Sequence, residues 1–139
     1  MRTLHVGLQV ADPEKSIAFY RRLGYEVLGA VPGTGIGDLT MLKLPEDPFV
    51  SIELVHAPDT IPTNSGGLHH LVIGVEDLHA MVTRLADAGI SAEPPSSPDH
   101  SEEFWTTLLT DPDGYLIELV QWPPGHPPGM TRADLMSQT

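Results

Sequence analysis

Leu4, Val6, Leu8 and Val10 alternate with His5, Gly7 and Gln9, the period-two pattern of a strand with one face on a core. Asp12-Pro13 follows, an N-cap with proline at the first helical position. Ile17, Phe19, Tyr20 and Leu23 give that helix an apolar stripe, and Gly24 ends it. Tyr25 to Val31 predicts a second strand, Pro32 to Gly37 a loop, and Leu39 to Leu44 and Val50 to Val55 two more strands. The first module, residues 3–55, therefore reads β-α-β-β-β.

The pattern then recurs. A shift of 65 residues superposes the two halves without a gap: His5 falls on His70, Val10 on Val75, Asp12 on Asp77 and Gly24 on Gly89. Ile52-Glu53-Leu54-Val55 falls on Ile117-Glu118-Leu119-Val120. Matches in one register over most of the chain mark two related modules. Module two, residues 68–121, predicts a strand over Leu68 to Val75 and a helix from the Asp77 cap to about Ala88. A short strand near Ile90 to Glu93 and a polar, proline-bearing loop over Pro94 to Glu103 come next. Trp105 to Thr110 and Tyr115 to Gln121 form a hairpin about the turn sequence Asp111-Pro-Asp-Gly114. A Pro/Ser/Thr/Gly-rich linker, 56–67, joins the modules. The tail, 122–139, opens with a proline-rich run that excludes helix and central strand and closes with a short helix over Thr131 to Met136.

Composition narrows the function. The 139 residues carry 40% hydrophobic side chains, enough for a packed core. Nineteen acidic against seven basic residues give a net charge of −12, which argues against nucleic acid and anionic membrane as partners. No apolar run approaches a signal peptide or a membrane span, so the expectation is a cytoplasmic protein. Cysteine is absent, so any metal site must be built from imidazole and carboxylate.

Two histidines and two glutamates answer that requirement. His5 and His70 take the strand face opposite the apolar residues, and Glu53 and Glu118 sit mid-strand among apolar neighbours. A carboxylate in such surroundings is costly unless paired or bound to a cation. A single strand-borne His or Glu is ordinarily a solvated or satisfied polar residue. Both pairs recurring in register, each with a separation of 48 residues, point to one shared ion. His69 aligns with Leu4 on the core face and is expected to be buried or to support the ligands from behind. His56, His79, His100 and His126 fall on a helix, in loops or in the tail and are expected to be exposed.

His5-Val-Gly-Leu-Gln-Val-x-Asp12, Gly67-Leu-His-His-Leu-Val-Ile-Gly-Val-x-Asp77 and Asp111-Pro-Asp-Gly-Tyr-Leu-Ile-Glu-Leu119 resemble the vicinal oxygen chelate superfamily. That group includes glyoxalase I, extradiol dioxygenases, methylmalonyl-CoA epimerase and bleomycin-resistance proteins. The resemblance covers residues 3 to about 122 and is closest to short glyoxalase I. It implies an α+β fold: one glyoxalase-like domain of two tandem βαβββ modules forming a curved, cup-like mixed sheet. It implies His5, Glu53, His70 and Glu118 as ligands of one divalent ion, of nickel, cobalt, zinc, manganese or iron, with Glu118 or Glu53 as catalytic base. It also implies a homodimer whose sites draw two ligands from each chain. The activity implied is that of a lyase or isomerase acting on a small α-hydroxy carbonyl substrate through a metal-bound enediolate. One departure bears on the substrate: the position that usually holds an Arg for a glutathione carboxylate is Gln9, and the 94–103 loop is acidic.

Three alternatives share the fold. An extradiol dioxygenase uses two His and one Glu, leaving three open positions on the metal, whereas Glu53 would fill one of them here. The epimerase pattern has Gln where Glu53 stands. A metal-free antibiotic-binding protein need not keep the four ligands, and this chain keeps them all.

Overall fold

Asp12 and Asp77 start the two main helices in the same way. The Asp12 carboxylate accepts the backbone N–H groups of Glu14 and Lys15, and the Asp77 carboxylate accepts that of Ala80. These bonds satisfy donors that a helix start leaves unpaired. The computed structural model describes residues 3–58 and 68–136, so most of the expected linker lies outside the described residues. The elements are β1 (Val6–Gln9), α1 (Pro13–Leu23), β2 (Glu26–Thr34), β3 (Gly37–Lys43), β4 (Ile52–His56), β5 (His70–Gly74), α2 (Leu78–Asp87), β6 (Trp105–Thr110), β7 (Leu116–Gln121) and α3 (Arg132–Met136). The chain divides into two compact units, one of which holds module one with the Asp111–Tyr115 turn and the other the rest of module two with the tail.

In the first unit the sheet order is β1-β4-β3-β2. β1 lies parallel to β4, and the other pairings are antiparallel. Leu8, Val10, Ile52 and Leu54 are buried together with Phe19, Tyr20 and Leu23 of α1. Leu4, expected on the core face, is 61% exposed because the strand begins only at Val6. β2 continues to Thr34, through the stretch expected to be a loop, and turns tightly into β3. Pro32 is tolerated there because β2 is an edge strand. Gly37 is required at that turn: its φ is +123°, and an added Cβ would lie 2.6 Å from the His56 carbonyl oxygen.

The Asp111–Tyr115 turn is tied into the same unit. Asp111 Oδ1 accepts the backbone N–H groups of Asp113 and Tyr115, and Asp111 Oδ2 accepts the Tyr20 hydroxyl at 2.7 Å. Asp113 accepts the Ala11 N–H and the buried Ser16 hydroxyl, while the Tyr115 hydroxyl donates to the Gln9 carbonyl. Burial pushes the Asp111 carboxyl above the usual carboxylate range, against the lowering effect of these hydrogen bonds. Burial, then the Asp111 carboxylate, pushes the Tyr20 hydroxyl up as well.

In the second unit the sheet order is β5-β7-β6, with β5 parallel to β7. The strand expected near Ile90 to Glu93 does not form. A Glu93 N–H bond to the Leu108 carbonyl and an isolated Ser96–Thr106 bridge stand in its place. Pro94 and Pro95 carry no N–H and cannot continue a ladder. The tail is better anchored than its composition predicts. Trp122 is stacked between Phe104 and His126, with ring centroids 5.1 and 4.2 Å away. His126, expected to be exposed, is half-buried; its two ring nitrogens face Asp134 at 2.6 Å and the Pro127 carbonyl at 2.7 Å. His56 is half-buried too, with Nδ1 3.2 Å from the Val10 carbonyl, whereas His79 and His100 are exposed as expected.

Two predictions follow from this packing. Tyr20→Phe removes the hydroxyl donor from a buried carboxylate and should lower unfolding stability by about 1–3 kcal/mol, read from the urea midpoint. An unchanged midpoint would show that the bond contributes nothing. The second concerns pH. Both ring nitrogens of His126 face acceptors, which suits the protonated ring. Asp134, then the Pro127 carbonyl, raises the His126 pKa, and His126 lowers that of Asp134. The tail anchor should hold below the ordinary histidine pKa of about 6.5. It should loosen as pH rises through the raised folded value, and again as pH falls through the lowered Asp134 value. Trp122 fluorescence followed against pH should show the upper transition in the wild type, and His126→Gln should remove it.

Candidate metal centre

Strand register builds the same arrangement twice. Gly7 on β1 is opposite Glu53 on β4, and Val72 on β5 is opposite Glu118 on β7. His70, the first residue of β5, and His5, the residue just before β1, each lie two residues before that opposite position. Each imidazole therefore reaches its glutamate diagonally across a parallel strand pair. His5 Nε2 is 3.3 Å from Glu53 Oε2, and His70 Nε2 is 3.5 Å from Glu118 Oε2. The flanking residues Ile52, Leu54, Ile117 and Leu119 point into the cores, so both glutamates take the other sheet face. Glu53 is the more enclosed, with 14% of its side chain exposed against 29% for Glu118.

The four expected ligands thus come together as two His–Glu pairs, one in each unit. Among the described residues no group of three or more His, Asp or Glu side chains is placed to hold a metal. Each pair offers one imidazole nitrogen and one carboxylate oxygen on a common face, a donor set that suits a borderline or hard divalent cation.

His69 is exposed, not buried, because it precedes the first residue of β5 and strand alternation does not turn it inward. Its Nδ1 lies 2.8 Å from His70 Nδ1, with the rings edge to face. A neutral His70 that donates from Nδ1 keeps its Nε2 lone pair on the side of Glu118. Leu4 occupies the equivalent place in module one, so only the second pair has this support.

A cleft of about 320 Å³ opens beside that second pair, entirely within the second unit. His69, His70, Glu118, Leu108 and Leu116 form one part of its wall, and Glu93, Pro94, Ser96, Thr106 and Thr107 the rest. The sequence pattern pointed to His70 and Glu118 but gave no sign of Glu93 or Ser96. The available signal was the Pro94-Pro95 pair, which breaks the strand that module one keeps at this place.

Fold and site together define an α+β protein of two related modules, each presenting one His–Glu pair. The chain belongs to the Glyoxalase/Bleomycin resistance protein/Dioxygenase superfamily, whose family model matches residues 2–119. A probable lactoylglutathione lyase of Vibrio cholerae is 32% identical over 133 residues, covering 86% of this chain and 90% of that protein. The crystal structure of a glyoxalase family protein from Enterococcus faecalis matches with a TM-score of 0.71 at 26% identity, over 86% of this chain and 97% of that one. The antibiotic binding protein TnmS3 from Streptomyces sp. CB03234 shares the fold, with a TM-score of 0.67 at 24% identity, over 88% of this chain and 97% of that one. No helix among the described residues is long and apolar enough to cross a membrane.

Proposed function

We propose that the protein is a divalent-metal-dependent lyase of the glyoxalase I type, isomerising a hemithioacetal or similar α-hydroxy carbonyl compound. The observation that carries this reading is the duplicated His–Glu pair, held in equivalent strand registers with Nε2–Oε2 separations of 3.3 and 3.5 Å. A protein that only enclosed an antibiotic would have no need of both pairs. His5, Glu53, His70 and Glu118 hold the ion. When bound, the ion would supply Lewis acidity to the carbonyl and hydroxyl oxygens of the substrate and make the hydrogen on the hydroxyl-bearing carbon easier to remove.

The chain's own residues do the rest. Glu118 lines the cleft and is the more accessible of the two carboxylates, so it is the favoured base. It takes the proton from the hydroxyl-bearing carbon and returns it to the neighbouring carbonyl carbon, while the hydroxyl proton passes to the former carbonyl oxygen, so that the reaction is an isomerisation with no loss of atoms. Glu53, more enclosed, stays a ligand. His69 fixes the orientation of His70. The protein works as a homodimer in which the His5–Glu53 pair of one chain meets the His70–Glu118 pair of its partner.

Metal analysis tests the ligands and the assembly together. His5→Ala and His70→Ala should each lose stoichiometric metal. If sites are shared between chains, mixing the two variants under subunit exchange should recover about one quarter of the wild-type metal content, because only heterodimers hold one intact site. Recovery of none would place all four ligands of a site in one chain, and full metal content in the single variants would remove these residues as ligands. The base is tested with metal retained. Glu118→Gln should lower kcat by roughly 10²–10⁴-fold and Glu53→Gln by less, since an amide can ligate but cannot take the proton. Near-normal turnover in both loaded variants would overturn the carboxylate-base mechanism. Failure of the loaded wild type to turn over any hemithioacetal would overturn the lyase assignment.

A further inference from the structure

We infer that the cleft beside His70 and Glu118 selects substrates whose side arm is cationic or uncharged, and that Glu93 sets this preference. The inference rests on the reading above and specifies the substrate class that reading leaves open.

The charges on the cleft wall carry it. Glu93 and Glu118 both contribute to the wall, and among the described residues no lysine or arginine does. The basic residues of the chain stand elsewhere. Lys15, Arg21 and Arg22 are on α1, Arg84 is on α2 and Arg132 on α3. Lys43 donates to three backbone carbonyls, those of Leu44, Pro45 and Asp47. The remaining one, Arg2, lies outside the described residues.

The two glutamates have different fates. With an ion bound, the carboxylates of Glu53 and Glu118 offset its double charge, which leaves Glu93 as the uncompensated charge of the wall. Glu93 is also held in place. Its N–H donates to the Leu108 carbonyl, and its own carbonyl accepts the Thr107 hydroxyl, so the backbone is pinned to β6. The side chain itself is exposed, and no ion pair with Lys or Arg involves it among the described residues. An anionic arm entering this cleft meets a fixed like charge on a protein whose net charge is already −12. A cationic arm meets a partner, and a neutral arm meets an otherwise largely uncharged wall.

Three short thiols, differing in charge, provide the test. Methylglyoxal is converted to hemithioacetals with thiocholine, 2-mercaptoethanol and mercaptoacetate, and the metal-loaded protein is assayed at low salt. Thiocholine is chosen because its quaternary ammonium cannot condense with the aldehyde. The kcat/KM should fall in the order cation, neutral, anion, with about tenfold or more between the extremes, and added salt should narrow the gap. Glu93→Gln should compress the order and Glu93→Lys should invert it. Equal or better turnover of the mercaptoacetate adduct by the wild type, or an order unchanged in Glu93→Lys, would overturn the inference. Binding is measured in parallel by calorimetry with glycine hydroxamate, acetohydroxamate and the monohydroxamate of malonic acid, bidentate oxygen ligands that need no turnover. If the hydroxamates keep the order while no hemithioacetal reacts, the lyase reading fails and the charge preference stands. If none of the three binds the loaded protein, or all bind alike, the charge preference fails.

Discussion

Each module depends on parallel pairing between its first and last strands. Among the described residues, β1 on β4 and β5 on β7 are the only parallel contacts in their sheets. A parallel pair needs a long crossover, and here the helix and the intervening chain supply it. The pairing brings a residue near the start of each module beside one 48 positions later. Without it, neither histidine would meet its glutamate. In both modules the glutamate is opposite the residue two places after the histidine, so the diagonal contact is a property of the register.

The same register settles which face the carboxylates occupy. In Ile52-Glu53-Leu54 and Ile117-Glu118-Leu119 the flanking residues are at most 1% exposed and fill the core. A slip by one residue would bury the glutamate and expose both neighbours, at a cost of several kcal/mol for the apolar groups alone. Core packing therefore holds the face that carries the glutamates in place. Neither glutamate is left as a lone charge on its sheet, since each has an imidazole within 3.5 Å.

Much of this was legible in the sequence because it rests on local periodicity and on repetition. The alternation of Val6, Leu8 and Val10 with its neighbours, the Asp12 and Asp77 caps, and the Asp111-Pro-Asp-Gly turn each have a short-range physical cause. The shift of 65 residues matched His5 with His70 and Glu53 with Glu118, and the strand register then set each His beside a Glu. Features that depend on distant or absent partners were not legible. His126 read as an exposed tail residue because its partners, Trp122 and Asp134, become neighbours only when the tail folds back. His69 read as inward-facing because alternation was extended past the true start of β5. The β2 strand was cut short at Pro32 because an edge position, which tolerates proline, cannot be recognised before the sheet order is known.

The departure from repeat symmetry is itself informative. Gly29 and Ala30 of module one lie within a paired strand, and the residues 65 positions later are Pro94 and Pro95. The prolines remove two donors, and the chain leaves the edge of β6 after the Glu93 bond and pairs with it again at Ser96. A closed fourth strand would have covered that edge with regular backbone. The interrupted one leaves Glu93, Pro94 and Ser96 on the wall of a cleft that also contains His70 and Glu118. On the proposed reading, the two modules share the task of holding the ion, while the loss of one strand in module two provides the space and the charge that choose its substrate.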